Sequence, residues 1–460
     1  MTDPTTPEAV AKLRVVTQCP HCDNQSFNDQ LCKTCQEEAP SVEVEPESKP
    51  VWNPQALYGS LGEIVWAVLP DTEAHPAGVY GDLLGRCGCS FNSGVFVGPY
   101  PRIPPRPFFN LVGPSGYGRK GTSHKVGGVL WDGIGELRQI NGWSSGEGFL
   151  DIMRDQREEK DVGWAKDKRH LFIEEECEKA QAVMSRSGST TGDIIKQLYD
   201  YSLRVENPKI SHTVVTLPHA VFIYDATPRA WCRWPESEIT NGFLNRFLCL
   251  YVEATKELPR GGNWLNEDVL KLKPGLKTSL ERARTLGELS KTDAANVVFD
   301  DFYHELRIRQ LERGDHPLNE LLARASDAVL RIAQISGAMM GSKQIPAEAV
   351  EAAILLWRYS LESVEWLWTQ RESVTAKKAV DWQQTKAGAD KVGIMLAALA
   401  SAGRGGLTVT DLYEKLQKNT PYGQIRQFLQ ALKSQELVVD REVKPPKGRV
   451  VIRWYLKGQE

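Results

Sequence analysis

An apolar run, Phe108 to Val112, breaks off at a dense glycine cluster, Gly113-Pro-Ser-Gly-Tyr-Gly-Arg-Lys-Gly-Thr-Ser123. No other stretch narrows the fold as much. A short apolar segment ending on glycines reads as a buried strand entering a tight loop. Buried strands that alternate with helices build parallel α/β sheets. Backbone N–H groups in such a loop, around Gly113, Gly116, Gly118, Arg119 and Gly121, can cradle phosphates beside the start of a helix. A lysine and a hydroxyl are also needed, for the terminal phosphates and for Mg²⁺. Lys120 and Thr122 or Ser123 would supply them. The spacing departs from GxxxxGK[ST]. Gly113 and Gly118 are correctly separated, but Arg119 takes the lysine's place and Lys120-Gly-Thr comes one step late. The alternative is a glycine-rich turn with a solvated basic pair.

Further segments extend the phosphate reading. Arg169-His-Leu-Phe-Ile-Glu-Glu-Glu176 predicts a strand that ends in carboxylates beside the glycine-loop strand. Among Glu174, Glu175 and Glu176, one carboxylate would serve the Mg²⁺ shell. A neighbour would orient or deprotonate an attacking water. A solvated, acidic helix start is the alternative. Asn241-Gly-Phe-Leu-Asn-Arg246-Phe precedes the apolar run FLCLYV. Arg246 there could reach the phosphate of a neighbouring subunit and stabilise transition-state charge. Thr227, just past VFIYDA, is a candidate sensor or a plain strand-end turn. Arg324, in LLARASDAVLRIA, would approach the phosphates from a helical lid or be an ordinary surface residue. Ser144-Ser-Gly-Glu147-Gly reads as a loop near nucleotide or DNA, or as a glycine turn.

Along the chain, residues 54–100 carry apolar positions at helical spacing. Residues 101–260 hold four strand candidates: Phe108–Val112, His170–Ile173, Ala220–Tyr224 and Phe247–Val252. Residues 261–375 form a helical lid, all-helical in pattern from about Glu267 to Leu367. Residues 387–460 read as three helices and a β-hairpin, a winged helix-turn-helix, with Thr410 and Thr420 as helix caps. Nine cysteines in 460 residues are too few for a disulfide scaffold. Four of them, Cys19, Cys22, Cys32 and Cys35, form CxxC-x9-CxxC within residues 18–36, a spacing that suits one tetrahedral Zn²⁺ in a knuckle or ribbon. Unrelated thiols or a redox pair are the alternative. Residues 37–53 are an acidic linker.

Net charge is -3, but it is uneven. Residues 371–460 hold 16 Lys and Arg against 9 Asp and Glu, the footprint of a nucleic-acid contact. Arg426 and Lys433 on the third helix, with Lys444, Lys447 and Arg449 on the wing, are the candidate DNA contacts. A protein-docking role for this segment is the alternative. No run of 18 apolar residues and no basic-then-apolar start is present, so a cytoplasmic, non-membrane protein is expected.

GRKGTS after a strand, SSGEG about 25 residues later, the E-x-E strand end, AVMSRSGSTTGDIIKQLYD and NGFLNRFL occur in that order. In this combination the chain, over about residues 54–365, resembles a widespread family of P-loop, helicase-like ATPases. Its members are carried by prophages, plasmids and integrated elements and are often fused behind primase-polymerase domains. The lid and C-terminal segment also resemble, more loosely, the AAA+ minichromosome-maintenance helicases. The resemblance implies ATP and Mg²⁺ as ligands, with Gly118, Lys120 and Thr122 at the phosphates. Glu174 and Glu176 match the acidic strand end, and Arg246 the arginine before the next strand. Glu175 stands where the family has proline. It further implies a homo-oligomeric ring, a hexamer, and a separate primase or polymerase, since the zinc segment occupies the place of the priming module. Arg186 and Lys196 are candidates for moving DNA-contact loops.

The expected fold is therefore α/β. An AAA+-like P-loop NTPase core with a mainly parallel sheet carries a helical lid, an N-terminal zinc knuckle or ribbon and a C-terminal winged helix-turn-helix. The expected function is an ATP-driven DNA motor of a mobile element. Two alternatives stand beside it: a non-enzymatic zinc and winged-helix DNA-binding regulator with a degenerate P-loop, and a nucleotide switch in phage defence or partition.

Overall fold

The computed structural model describes the strands 16–18 and 25–27 and residues 48–460, apart from 93, 99–101, 158–160, 162–163, 201–203, 208–212, 315, 384–385, 421, 435–436, 444–450 and 460. The chain divides into two units, Met1–Ser48 and Lys49–Glu460. In the first, Val16–Gln18 pairs antiparallel with Gln25–Phe27, on either side of Cys19 and Cys22 in sequence. Cys19, Cys22, Cys32 and Cys35 themselves lie outside the described residues.

The second unit is built on a five-stranded sheet. Its strands are β1 (Phe108–Val112), β2 (Arg138–Asn141), β3 (Arg169–Glu174), β4 (His219–Ala226) and β5 (Phe247–Tyr251). Their order is β5-β1-β4-β3-β2, and every pairing is parallel. The acidic strand β3 is thus not beside the glycine-loop strand, as the sequence suggested. The strand β4 lies between them. Its sequence, HAVFIYDA, is fully buried and carries one lone acid, Asp225. The strand β2 was not legible as a strand because its residues, RQIN, are polar and mostly exposed at one edge of the sheet.

The opposite edge, β5, is closed by side chains. A helix, α1 (Pro76–Ser90), is buried along its whole length and contacts β1, β3, β4 and β5. A second, α2 (Lys120–Trp131), follows the glycine loop and packs on α1. Two long lid helices are α3 (Ala325–Met339) and α4 (Ala347–Gln383). On α4, Ser360 and Ser363 accept from the outward amides of Cys249 and Tyr251 at 2.8 and 3.1 Å. Those contacts cap a ladder that would otherwise be open at a sheet edge.

The region expected to be all-helical also holds two short strands, Glu288–Lys291 and Gln344–Ile345. They join Phe96–Val97 in a small parallel sheet. Segments of two to four residues are too short to show a period of two.

Towards the C-terminus, helices Lys386–Ala402, Val409–Lys415 and Tyr422–Ser434 precede an antiparallel hairpin, Val438–Val443 with Val451–Leu456. They enclose a separate apolar cluster of Met395, Leu399, Leu412, Ile425, Phe428 and Trp454. The middle helix is capped by Thr408, two residues before the expected Thr410. Thr408 and Asp411 bond each other's backbone N–H reciprocally, which satisfies two orphan donors. Among the described residues, no helix is long and apolar enough to cross a membrane.

Candidate functional site

The carboxyl ends of parallel strands leave a crevice where loops can converge on a ligand. Here β1 runs into the glycine loop, which is closed by backbone contacts. A β-carbon on Gly113 would lie 2.2 Å from the Val252 carbonyl, and one on Gly118 would lie 2.6 Å from that of Pro114. No other residue fits either position. The Gly118 amide donates to the Pro114 carbonyl at 2.8 Å, and Gly116 adopts φ +71°.

The late lysine has a structural explanation. Arg119 takes up the extra residue in the left-handed conformation, φ 49°, immediately before α2. A side-chain-bearing residue there costs about 1–2 kcal/mol. The Arg119 guanidinium is held by Glu73 at 2.7 Å, and the other Glu73 oxygen accepts from the Leu258 amide at 2.7 Å. Lys120 therefore opens the helix. Its Nζ donates to the carbonyls of Gly113 at 2.7 Å and Pro114 at 3.5 Å. Burial lowers its pKa below the usual lysine value, against the opposing pull of Asp225 and Glu178.

The hydroxyls behind it divide. Gly121 stands where GxxxxGK[ST] has its hydroxyl. Thr122 is half-buried. Ser123 is buried against α1, with its Oγ 3.4 Å from the Arg119 carbonyl and 2.5 Å from where a β-carbon on Gly78 would sit. That hydroxyl is turned to the helix packing.

The three glutamates separate by environment. Glu174 is 3% exposed and uses both oxygens locally. It accepts from the Trp143 amide at 2.9 Å and the Glu176 amide at 3.0 Å, and so fixes the turn beyond β3. Glu176 is exposed and pairs with Lys179 at 3.0 Å. Glu175 faces the glycine loop, its Oε2 3.8 Å from the position a β-carbon on Gly121 would take. Sequence alone did not say which of the three activates the water.

The remaining predicted residues lie elsewhere. Thr227 caps Pro228–Trp231, accepting from the Ala230 amide at 3.1 Å. Arg246 precedes β5, at the amino-terminal ends of the strands. A five-residue strand of ~3.3 Å per residue puts that end ~16 Å from the loop edge. Arg246 is buried and pairs with Asp200 at 2.9 Å. Arg324 meets the same Asp200 at 3.5 Å and Asp327 at 3.1 Å. It is therefore grouped with Arg246 and not with the glycine loop of its own chain. Ser145 caps the helix Gly146–Met153, and Glu147 accepts from Thr190 at 2.9 Å. Arg186 is exposed, and Lys196 pairs with Asp193 at 2.8 Å. Arg426 is exposed on its helix, while Lys433 pairs with Asp440 at 2.6 Å. Lys444, Lys447 and Arg449 lie outside the described residues.

Two residues beside the loop went unread in the sequence. Asp225 ends the buried strand β4, and His124 lies one turn into α2. A single acid in an apolar run was the available signal for Asp225. Nothing in the sequence pattern marked its pairing with His124, which contacts Asp225 at 2.9 Å and Asp82 of α1 at 2.8 Å.

No family model matches the chain, and no curated protein matches it. Among solved structures it is similar to that of a full-length MCM homolog from Methanopyrus kandleri. Sequence identity is 14% and the TM-score is 0.40, over 66% of this chain and 59% of that one. The chain thus matches less than two thirds of the length of that structure. The core is a mixed α/β fold in which a parallel strand, a glycine loop and a helix follow one another.

Proposed function

We infer that this chain is a helicase-like ATPase that acts on DNA. The observation that carries the reading is the convergence of Lys120 and Glu175 on one glycine loop at the carboxyl edge of a parallel sheet. The loop amides would cradle the phosphates, and Lys120 would exchange its carbonyl partners for phosphate oxygens. Glu175 is the acidic strand-end group placed to face them. The donor set fits Mg²⁺, which keeps one or two carboxylates and takes its other oxygens from phosphate and water. Bound there, the ion would neutralise phosphate charge. Glu175 would hold the ion or orient the attacking water, and Glu174 would keep the turn in place.

Arg246 and Arg324 sit too far along the strands to serve their own loop. Their grouping at the opposite end supports a ring, a hexamer, in which they act on a neighbouring subunit's triphosphate. An arginine supplied this way typically contributes about 10³-fold to 10⁵-fold in rate. The basic C-terminal helix-and-hairpin unit would grip duplex DNA through the face that bears Arg426.

One observation favours the regulator reading instead: Gly121 has no hydroxyl to offer Mg²⁺. An unwinding assay on forked DNA separates the readings. The motor reading expects ATP-dependent strand separation that Glu175→Gln abolishes. ATP hydrolysis without strand separation points to a switch. DNA binding without hydrolysis points to the regulator.

A further inference from the structure

A buried line of charge runs behind the phosphate loop. His124 is 6% exposed, and each of its ring nitrogens meets a carboxylate oxygen, Nδ1 that of Asp82 and Nε2 that of Asp225. An ionised carboxylate only accepts, so both nitrogens must carry hydrogen and the ring is an imidazolium. Burial by itself would depress the histidine pKa. Asp225 and Asp82 outweigh it and raise the pKa to about 10. Asp82 is held in turn by the Arg86 guanidinium, Nε at 2.5 Å, and Arg86 also donates to the His124 carbonyl and to Gln139. Room for Asp82 between α1 and α2 exists because residue 127 is glycine.

Asp225 is also close enough to Lys120 to act on its charge, yet Lys120 turns its hydrogen bonds to Gly113 and Pro114. A buried carboxylate beside a phosphate-binding lysine is a competitor. It attracts the ammonium that phosphate needs, and it repels phosphate itself.

We propose that His124 is a positioning residue that holds and neutralises Asp225, keeping it off Lys120 so that the lysine is free for the triphosphate. The proposal rests on the phosphate-loop reading and adds to it the group that keeps the loop's lysine available. Arg86 and Asp82 set the far side of the clamp. His124 touches no substrate.

The test is equilibrium binding of a fluorescent ATP analogue to the full-length protein, with Mg²⁺ present. His124→Gln leaves Asp225 uncompensated. Its Kd should rise by about 10-fold to 100-fold, the scale of one extra charge about 6–12 Å away at an effective dielectric constant of about 20. Asp225→Asn should bind at least as tightly as the wild type. The double variant His124→Gln/Asp225→Asn should recover the affinity that the single histidine variant lost, which a general packing defect would not allow. An unchanged Kd in His124→Gln, or a double variant as weak as the single, overturns the proposal. If His124→Gln does not fold, Asp225→Asn alone decides: binding weaker than the wild type shows that the carboxylate is needed at the phosphates and refutes it. A wild type that binds no nucleotide removes the phosphate-loop reading itself, whereas a competent wild type with contrary variants removes only the role of His124.

Discussion

Gly127→Ala is expected to unseat the charge clamp without touching any charged residue. A β-carbon there would lie 1.8 Å from Asp82 Oδ2, 2.8 Å from Cγ and 3.3 Å from Cβ. Turning the carboxylate alone does not relieve the overlap, because Cγ is also too near. The Asp82 side chain must leave its place, and with it go the contacts to Arg86 at 2.5 Å and His124 at 2.8 Å. Both cations then stay in a buried site with one carboxylate fewer. Removing one partner of a buried pair costs about 3–5 kcal/mol. Replacing glycine by alanine in a helix interior returns up to ~1 kcal/mol. The net loss should be about 2–4 kcal/mol. Gly128→Ala is the control. Its β-carbon would lie 3.7 Å from its nearest neighbour, Arg86 Nη2, an ordinary contact, so it should be neutral or gain up to ~1 kcal/mol. Urea unfolding followed by circular dichroism reads both. A Gly127→Ala midpoint equal to the wild type's would refute the claim that Asp82 is locked.

The sequence carried the central strands well, because β1, β3, β4 and β5 are short apolar runs that end in recognisable loops. It carried the glycine loop and its lysine for the same reason. It did not carry β2, whose polar edge residues look like a loop, nor the placement of β4 between the glycine-loop strand and the acidic strand. Strand order is set by crossovers that local pattern does not record. The three glutamates are alike as letters. Only the fold shows Glu174 turned to two backbone amides and Glu175 turned to the loop. Arg324 could not be placed from the lid pattern, since its grouping with Arg246 runs through Asp200, more than a hundred residues away in sequence.

Three further outcomes are expected. The His124 pKa is raised from 6.5 to about 10, so its stabilising contribution is full below pH 6.5 and is lost as pH rises through about 10. Urea midpoints should fall over that range in the wild type and much less in His124→Gln; parallel pH profiles would contradict the clamp. Arg426→Ala should weaken duplex-DNA binding at every sequence and reduce the log–log salt slope by about 1. An unchanged slope, read by fluorescence anisotropy, would assign that helix to protein docking. Elemental analysis of the purified chain should find about one zinc per chain. Replacing Cys32 by serine should release it, and zinc-free wild type would leave the four cysteines without a shared ligand.

Phosphate release from ATP, measured side by side for the wild type, Lys120→Ala and Glu175→Gln, bears most directly on the glycine loop as a triphosphate site. The wild type should turn over. Lys120→Ala should lose both nucleotide binding and turnover, and Glu175→Gln should keep binding while turnover stops. Equal turnover in the wild type and Lys120→Ala would contradict the account.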